Sequence, residues 1–328
     1  MRVHCSSEHP SRGRAAARRR ASAQEPVGIR AAIRENCACV PENSPENNLP
    51  TMAANLSQIE YWNGPAAERW AIHQEALDRA LEPFGLAVLE RAGIRPGERV
   101  LDIGCGCGAT TLAIADRIGE SGHVLGIDVS SRMLAEAARR TAGRSNVALL
   151  ETDAATHPFS PSADVIASRF GVMFFDRPVE AFRNLRGALA SAGRLAFACW
   201  RAPSENPWVS VPMNAALRRV GAQPPTGPDE PGPFSFADRG RVEGILRAAG
   251  FAAVRVEPFD ADVVLSIAGV EPALEFAITA GPAGRLLADA PPGVAEAVRE
   301  DLRNELVRAA AGGLVALGGA VWIASATA

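Results

Sequence analysis

The chain has 328 residues, 47% of them hydrophobic and 22% charged, with a formal net charge of −3. Such a length buries a core without disulfide or metal support, and the slightly acidic balance argues against a nucleic-acid surface. No lysine occurs, so all 34 basic residues are arginine, a bias that accompanies abundant Ala, Gly and Pro and carries no chemistry of its own. Six cysteines at 5, 37, 39, 105, 107 and 199 lack the regular spacing of a disulfide framework. They fit a reducing, cytoplasmic setting and point to no metal site.

Residues 1–51 hold eight arginines against five glutamates and end in a Pro-, Asn- and Glu-rich stretch. They have no apolar core of a secretory signal. They read as a disordered extension, or as sequence upstream of a true start at Met52, with a transit peptide as the alternative. Residues 52–95 are expected to form a helical cap, in which Tyr61-Trp62-Asn63-Gly64-Pro65 leads into amphipathic runs over 66–81 and 84–92. These aromatics either pack as core or cover a ligand, which makes Tyr61 and Trp62 candidate substrate contacts.

Residues 96–328 form the expected ligand-binding domain, with helical insertions near 205–233 and 271–311. Short apolar strands are predicted at 100–103, 123–127, 147–151, 164–168 and 194–199. Helices are predicted at 110–118, at 131–140 behind Ser130 as N-cap, and at 178–189, with a turn at Ala192-Gly193. Beyond Trp200 come a helix over 207–220, a Pro/Gly-rich linker over 221–233, a helix over 237–249 and a strand from 252. Helical sequence over 271–311 suggests a small lid, and a strand near 320–326 closes the chain. Residues 309–328 carry no charge and are long enough to span a bilayer. Their Ala, Gly, Ser and Thr content gives little transfer energy, so they read as a loop entering a buried strand, and no membrane span is expected.

Strands alternating with helices predict a doubly wound α/β fold with a mostly parallel sheet, which binds ligands just beyond the carboxyl ends of its strands. The densest such point is Val100-Leu101-Asp102-Ile103-Gly104-Cys105-Gly106-Cys107-Gly108. Glycines at 104, 106 and 108 bare the backbone so that a ligand can lie against it. A dinucleotide pyrophosphate resting on the following helix N-terminus would meet the Asp102 carboxylate unfavourably. The ammonium of S-adenosylmethionine would meet it favourably. Asp128, ending the second strand, is placed to accept the ribose hydroxyls of either ligand. Asp153, after the third strand, can accept the adenine 6-amino group, with Ala154 leaving room for the ring, and this favours the methyl donor.

Asp102-x-Gly104-x-Gly106-x-Gly108, Asp128, Asp153, the strand Asp164 to Ser168, the run Arg169-Phe170-Gly171-Val172-Met173-Phe174-Phe175 and Ser191-Ala192-Gly193-Arg194-Leu195 resemble the successive motifs of class I S-adenosylmethionine-dependent methyltransferases. The branch is that of the ubiquinone and menaquinone methyltransferases and other small-molecule enzymes. The resemblance spans about 60–328. It implies a Rossmann-like methyltransferase fold with a seven-stranded sheet, S-adenosylmethionine as cofactor, and methyl transfer to a small-molecule acceptor. The cofactor residues it implies are Asp102, Gly104, Cys105, Gly106, Gly108, Asp128, Val129, Asp153, Ala154 and Arg169. Ser191-Ala192-Gly193 departs from the usual Pro-Gly-Gly turn, and the 271–311 helical stretch is longer than the plainest members carry.

Methyl transfer needs alignment and exclusion of water, and a base when the acceptor is a hydroxyl or an acidic carbon. His157, His73 and Arg169 are the candidates for catalytic work. The greasy run after the fourth strand suits a flat or apolar acceptor, with Phe170, Met173, Trp200 and Trp208 joining Tyr61 and Trp62 as substrate candidates. Oxygen, carbon and nitrogen acceptors all stay open. Two competing readings are an NAD(P)-dependent oxidoreductase, since Gly104-x-Gly106-x-x-Ala109 satisfies a relaxed dinucleotide fingerprint, and a non-catalytic cofactor-binding regulatory protein.

Overall fold

The structure, a computed structural model, describes residues 55–221, 227, 230–279, 281, 283–288 and 290–328. The expected extension over 1–51 and most of the expected linker lie outside the described residues. Three helices come first: α1 (Leu56–Asn63), α2 (Pro65–Ile72) and α3 (Gln74–Ala92). The break falls at His73 rather than near Pro83, which sits inside α3. A proline removes one backbone hydrogen bond, but Leu77, Ala80, Leu81, Phe84, Val88 and Leu89 form one continuous buried stripe across it. Burial of that stripe holds the helix together. Gly93, left-handed at φ 56, ends it.

The sheet follows in regular alternation: β1 (Arg99–Ile103), α4 (Ala109–Ile118), β2 (His123–Asp128), α5 (Ser131–Arg140), β3 (Val147–Glu151), β4 (Ala163–Arg169), α6 (Pro178–Ala188) and β5 (Leu189–Trp200). Ser130 Oγ accepts from Met133 N at 3.3 Å, the N-cap that the sequence indicates. The Ala192-Gly193 turn does not separate α6 from β5. It lies within β5, where the pairing jumps from Ala163↔Leu189 to Val165↔Arg194, so residues 190–193 bulge out of register. Gly193 fits there because a Cβ would come within 2.9 Å of Ala190 O.

Next come α7 (Pro207–Val220), α8 (Arg239–Ala248), β6 (Ala252–Ser266), α9 (Val270–Thr279), α10 (Ala283–Ala288), α11 (Pro292–Ala309), the two-residue β7 (Ala310–Ala311) and β8 (Leu314–Thr327). Strand β8 begins well before the expected residue 320, because it pairs with β6 from Val315 to Thr327. The sheet order is β3-β2-β1-β4-β5-β8-β6, with β7 beside β8. Its first five members are parallel, and β8 runs antiparallel to both neighbours. Helix α3 packs along β4, β5, β8 and β6, while α7 and α9–α11 gather beyond β6 and β8. Among the described residues no helix is long and apolar enough to cross a membrane.

Candidate functional site

The carboxyl ends of β1, β2 and β4 converge on the glycine loop. Gly104 N and Cys105 N both donate to Ile127 O, at 2.8 and 3.0 Å, which ties the loop to β2. Gly104, Gly106 and Gly108 all take positive φ. Gly104 faces Gly171 across the loop, and a Cβ on it would lie 2.7 Å from Gly171 Cα. The two backbones therefore meet with no side chain between them.

Asp102 lies on the floor of this loop at 1% exposure. Its Oδ2 accepts from Thr111 Oγ1 at 2.6 Å, while Oδ1 is buried and has no partner. Burial drives its pKa up to about 6, with the Asp128 charge adding to the rise and the Thr111 hydroxyl and Arg169 opposing it. A buried acceptor without a donor is costly and calls for a ligand group. Asp128, ending β2, is held on both oxygens: Oδ2 accepts from Gly106 N at 2.8 Å and Oδ1 from Ser130 N at 2.9 Å. Burial raises its pKa and those backbone bonds restrain the rise. The Val129 carbonyl accepts from Asn63 Nδ2 at 2.8 Å, so the end of α1 docks on the β2–α5 turn.

Asp153 closes its own turn, with Oδ1 accepting from Ala155 N at 2.9 Å, and its Oδ2 accepts from Asn55 N at 3.2 Å. Ala154 is buried beside it. Arg169 ends β4. Its stem passes under α3 at Gly85, where a Cβ would come 3.3 Å from Arg169 Cδ, and its guanidinium reaches within 3.8 Å of Asp78 Oδ1. Burial pulls the Arg169 pKa down, opposed by Asp78 and Asp102. Asp78 also pairs with Arg140 at 2.7 Å, and Arg140 holds the Cys107 carbonyl at 2.6 Å. One carboxylate on α3 thereby joins the glycine loop to the end of β4. Cys105 and Cys107 are small buried fillers of the loop, and burial pushes the Cys107 thiol up to about 12.

The aromatic candidates fall into two groups. Trp62 meets Tyr61, Trp70 and Phe174 edge-on at 5.1, 5.7 and 5.2 Å. Phe170 stacks on Trp200 at 4.2 Å and 5°, and Trp200 meets Trp208 at 4.8 Å. Phe170 holds φ 64, a strained value for a non-glycine residue. Met173, at 1% exposure, offers its Sδ to Trp200 N at 3.4 Å. His157 packs on Phe159 and faces Thr152 Oγ1 at 3.4 Å, and His73 joins α2 to α3. Sequence reasoning missed Asn55, Asn63, Asp78, Phe84, Thr111 and Arg140. Only Thr111, in the first turn after the glycine loop, had a local signal.

A methyltransferase-domain family profile matches residues 100–193. Nocamycin O-methyltransferase of Saccharothrix syringae is 34% identical over 185 residues, 53% of this chain and 66% of that protein. Aklanonic acid methyltransferase DauC of Streptomyces sp. (strain C5) is 36% identical over 118 residues, 35% of this chain and 54% of that protein. Demethylmenaquinone methyltransferase of Staphylococcus aureus is 33% identical over 107 residues, 32% and 44% of the two chains. The chain thus spans about half the length of the curated relatives it matches. By fold it resembles phosphoethanolamine N-methyltransferase 2 of Haemonchus contortus, solved with S-adenosylhomocysteine, at TM-score 0.52 and 18% identity over 84% of this chain and 60% of that one. The glycine loop with its unpartnered Asp102 oxygen, the sheet order and these likenesses agree: residues 100–193 are a class I S-adenosylmethionine-dependent methyltransferase domain.

Proposed function

We propose that the chain transfers a methyl group from S-adenosylmethionine to a small-molecule acceptor. The observation that carries this reading is the buried Asp102 Oδ1, an acceptor with no donor. It fits an ammonium and opposes a pyrophosphate, which disfavours the nicotinamide alternative. When bound, S-adenosylmethionine supplies a methyl group activated on a sulfonium. The chain then has to bind, align and exclude water.

In this reading Asp102 takes the ammonium, and Gly104, Cys105, Gly106 and Gly108 give backbone contact. Asp128 beside Val129 takes the ribose hydroxyls. Asp153 and Ala154 hold the adenine, and Arg169 takes the carboxylate of the amino-acid end. Helices α1–α3, within residues 52–95, act as a cap, since Asn55 and Asn63 bond to Asp153 and to the Val129 carbonyl. The relatives named for nocamycin, aklanonic acid and demethylmenaquinone support a small organic acceptor, and the aromatic group at Phe170 and Trp200 supports a flat one. His157 and His73 take no part in this scheme. Unpaired buried Cys105, Cys107 and Cys199 support a reducing, cytoplasmic setting.

Asp128→Ala is expected to weaken S-adenosylhomocysteine binding by more than roughly tenfold, the worth of charge-assisted hydrogen bonds to a diol. Isothermal calorimetry reads this directly, and unchanged affinity would reject the ribose assignment.

A further inference from the structure

We infer that Trp208 determines acceptor specificity: its indole N–H donates to an oxygen on a flat aromatic acceptor. This rests on the methyl-transfer reading and names the substrate class for that same site. The Trp208 Nε1 is shielded from solvent and has no hydrogen-bond acceptor. A buried indole N–H ordinarily finds one. Trp322, on β8, does so by donating to Ala237 O at 2.8 Å.

The surroundings of Trp208 are aromatic and fixed. Phe170 leaves β4 directly after Arg169, and its neighbour Gly171 touches Gly104 in the cofactor loop. From there the rings run from Phe170 to Trp200 and on to Trp208. Phe84 closes the group edge-on, at 5.8 Å from Phe170 and 5.2 Å from Trp200. Gly319 on β8 makes room for Phe84, since a Cβ there would come 2.8 Å from Phe84 Cζ. Met173 Sδ is already engaged by Trp200 N. The indole N–H of Trp208 is the hydrogen-bonding group of this wall that is both shielded from solvent and without a partner.

Its position is set by Asn206, fully buried two residues earlier. Asn206 Nδ2 donates to Arg201 O, Ala202 O and Ala320 O at 3.1–3.2 Å, and Oδ1 accepts from Ala320 N at 2.8 Å. These bonds clamp the start of α7 to the end of β5 and to β8. A donor on so rigid a support selects geometry as well as charge. A donor without a partner also penalises a ligand that leaves it unpaired, so an oxygen-free analogue is rejected.

The test compares 2-naphthol with 2-methylnaphthalene, which matches its shape and lacks the oxygen, both binding to the full chain saturated with S-adenosylhomocysteine. The parent is expected to prefer 2-naphthol by roughly tenfold, the worth of one buried hydrogen bond. Trp208→Phe keeps a ring in the wall and should bring the two probes within about twofold of each other while S-adenosylhomocysteine affinity stays unchanged. Trp200→Phe thins the wall but keeps the donor, and should weaken both probes alike with their ratio preserved. The inference is overturned if the parent shows no preference, if Trp208→Phe retains it, or if Trp200→Phe alone removes it. Failure of S-adenosylhomocysteine itself to bind would instead remove the methyl-donor reading and this assignment with it.

Discussion

Asp102→Asn is expected to weaken S-adenosylhomocysteine binding by roughly 100-fold, the worth of about 2–3 kcal/mol in one buried charge-assisted contact. The same substitution should leave the ligand-free protein at least as stable at pH 8. Both outcomes follow from one carboxylate that burial holds at a pKa of about 6 against an ordinary 3.8. The folded chain keeps that proton up to about pH 6, whereas the unfolded chain releases it near 3.8. Stability of the unliganded protein therefore falls as pH rises through that interval, by about 3 kcal/mol for a shift of this size, and stays reduced above it. Removing the charge lifts that penalty. Ligand binding has the opposite sign, because the ammonium needs the ionised acid. Affinity should drop by about tenfold per pH unit below 6, a dependence that the Asn variant lacks. Calorimetry between pH 5 and 8 and thermal melts at pH 8 check both halves. An Asn variant that binds like the parent would refute the ammonium assignment.

Gly171→Ala is the substitution with the largest expected structural effect. A Cβ there would lie 2.6 Å from Ile103 O and 2.8 Å from Gly104 Cα, both backbone atoms that have no rotamer to change. Gly104, at φ 68, cannot move aside without losing its bond to Ile127 O. Forcing a methyl into such a contact costs about 3 kcal/mol, and it pushes the glycine loop off its seat, so cofactor binding should disappear along with stability. Gly244→Ala provides the contrast. Gly244 lies within α8, and a Cβ on it meets nothing within 4 Å. That change should stabilise the protein by about 0.5–1 kcal/mol, because alanine loses less backbone freedom in a helix. Urea melts of the two variants should move in opposite directions.

What was legible in the sequence was local. Asp102, the glycines at 104, 106 and 108, Asp128 and the Ser130 cap all lie within one β1–α4–β2–α5 run, where spacing along the chain fixes spacing in space. The same logic delivered the parallel strands, whose apolar runs are short and separated by turn residues. It failed where the partner lies far along the chain. Asp78 reads as an ordinary charge on an amphipathic helix, and only the folded chain shows it between Arg140 and Arg169. Asn55 likewise gains its role by meeting Asp153 and Phe174. Pro83 and the Ala192-Gly193 pair misled in the same way. Each carries a strong local signal: Pro83 was outweighed by the buried stripe of α3, while Ala192-Gly193 became a bulge within β5, between the pairs Ala163↔Leu189 and Val165↔Arg194, instead of a turn before it. The extent of β8 was hidden because Gly312, Gly313, Gly318 and Gly319 look like loop, yet its ladder to β6 runs to Val315.

The placement of β8 between β5 and β6 sets a timetable for synthesis. During translation β6 leaves the ribosome well before the strand that joins it to the rest of the sheet, so until β8 emerges the nascent molecule exposes the ladder edges of β5 and β6 that β8 will pair. A ribosome stalled before residue 314 would hold an adhesive intermediate. A chain cut before β8, which spans Leu314–Thr327, should therefore be insoluble rather than merely less stable.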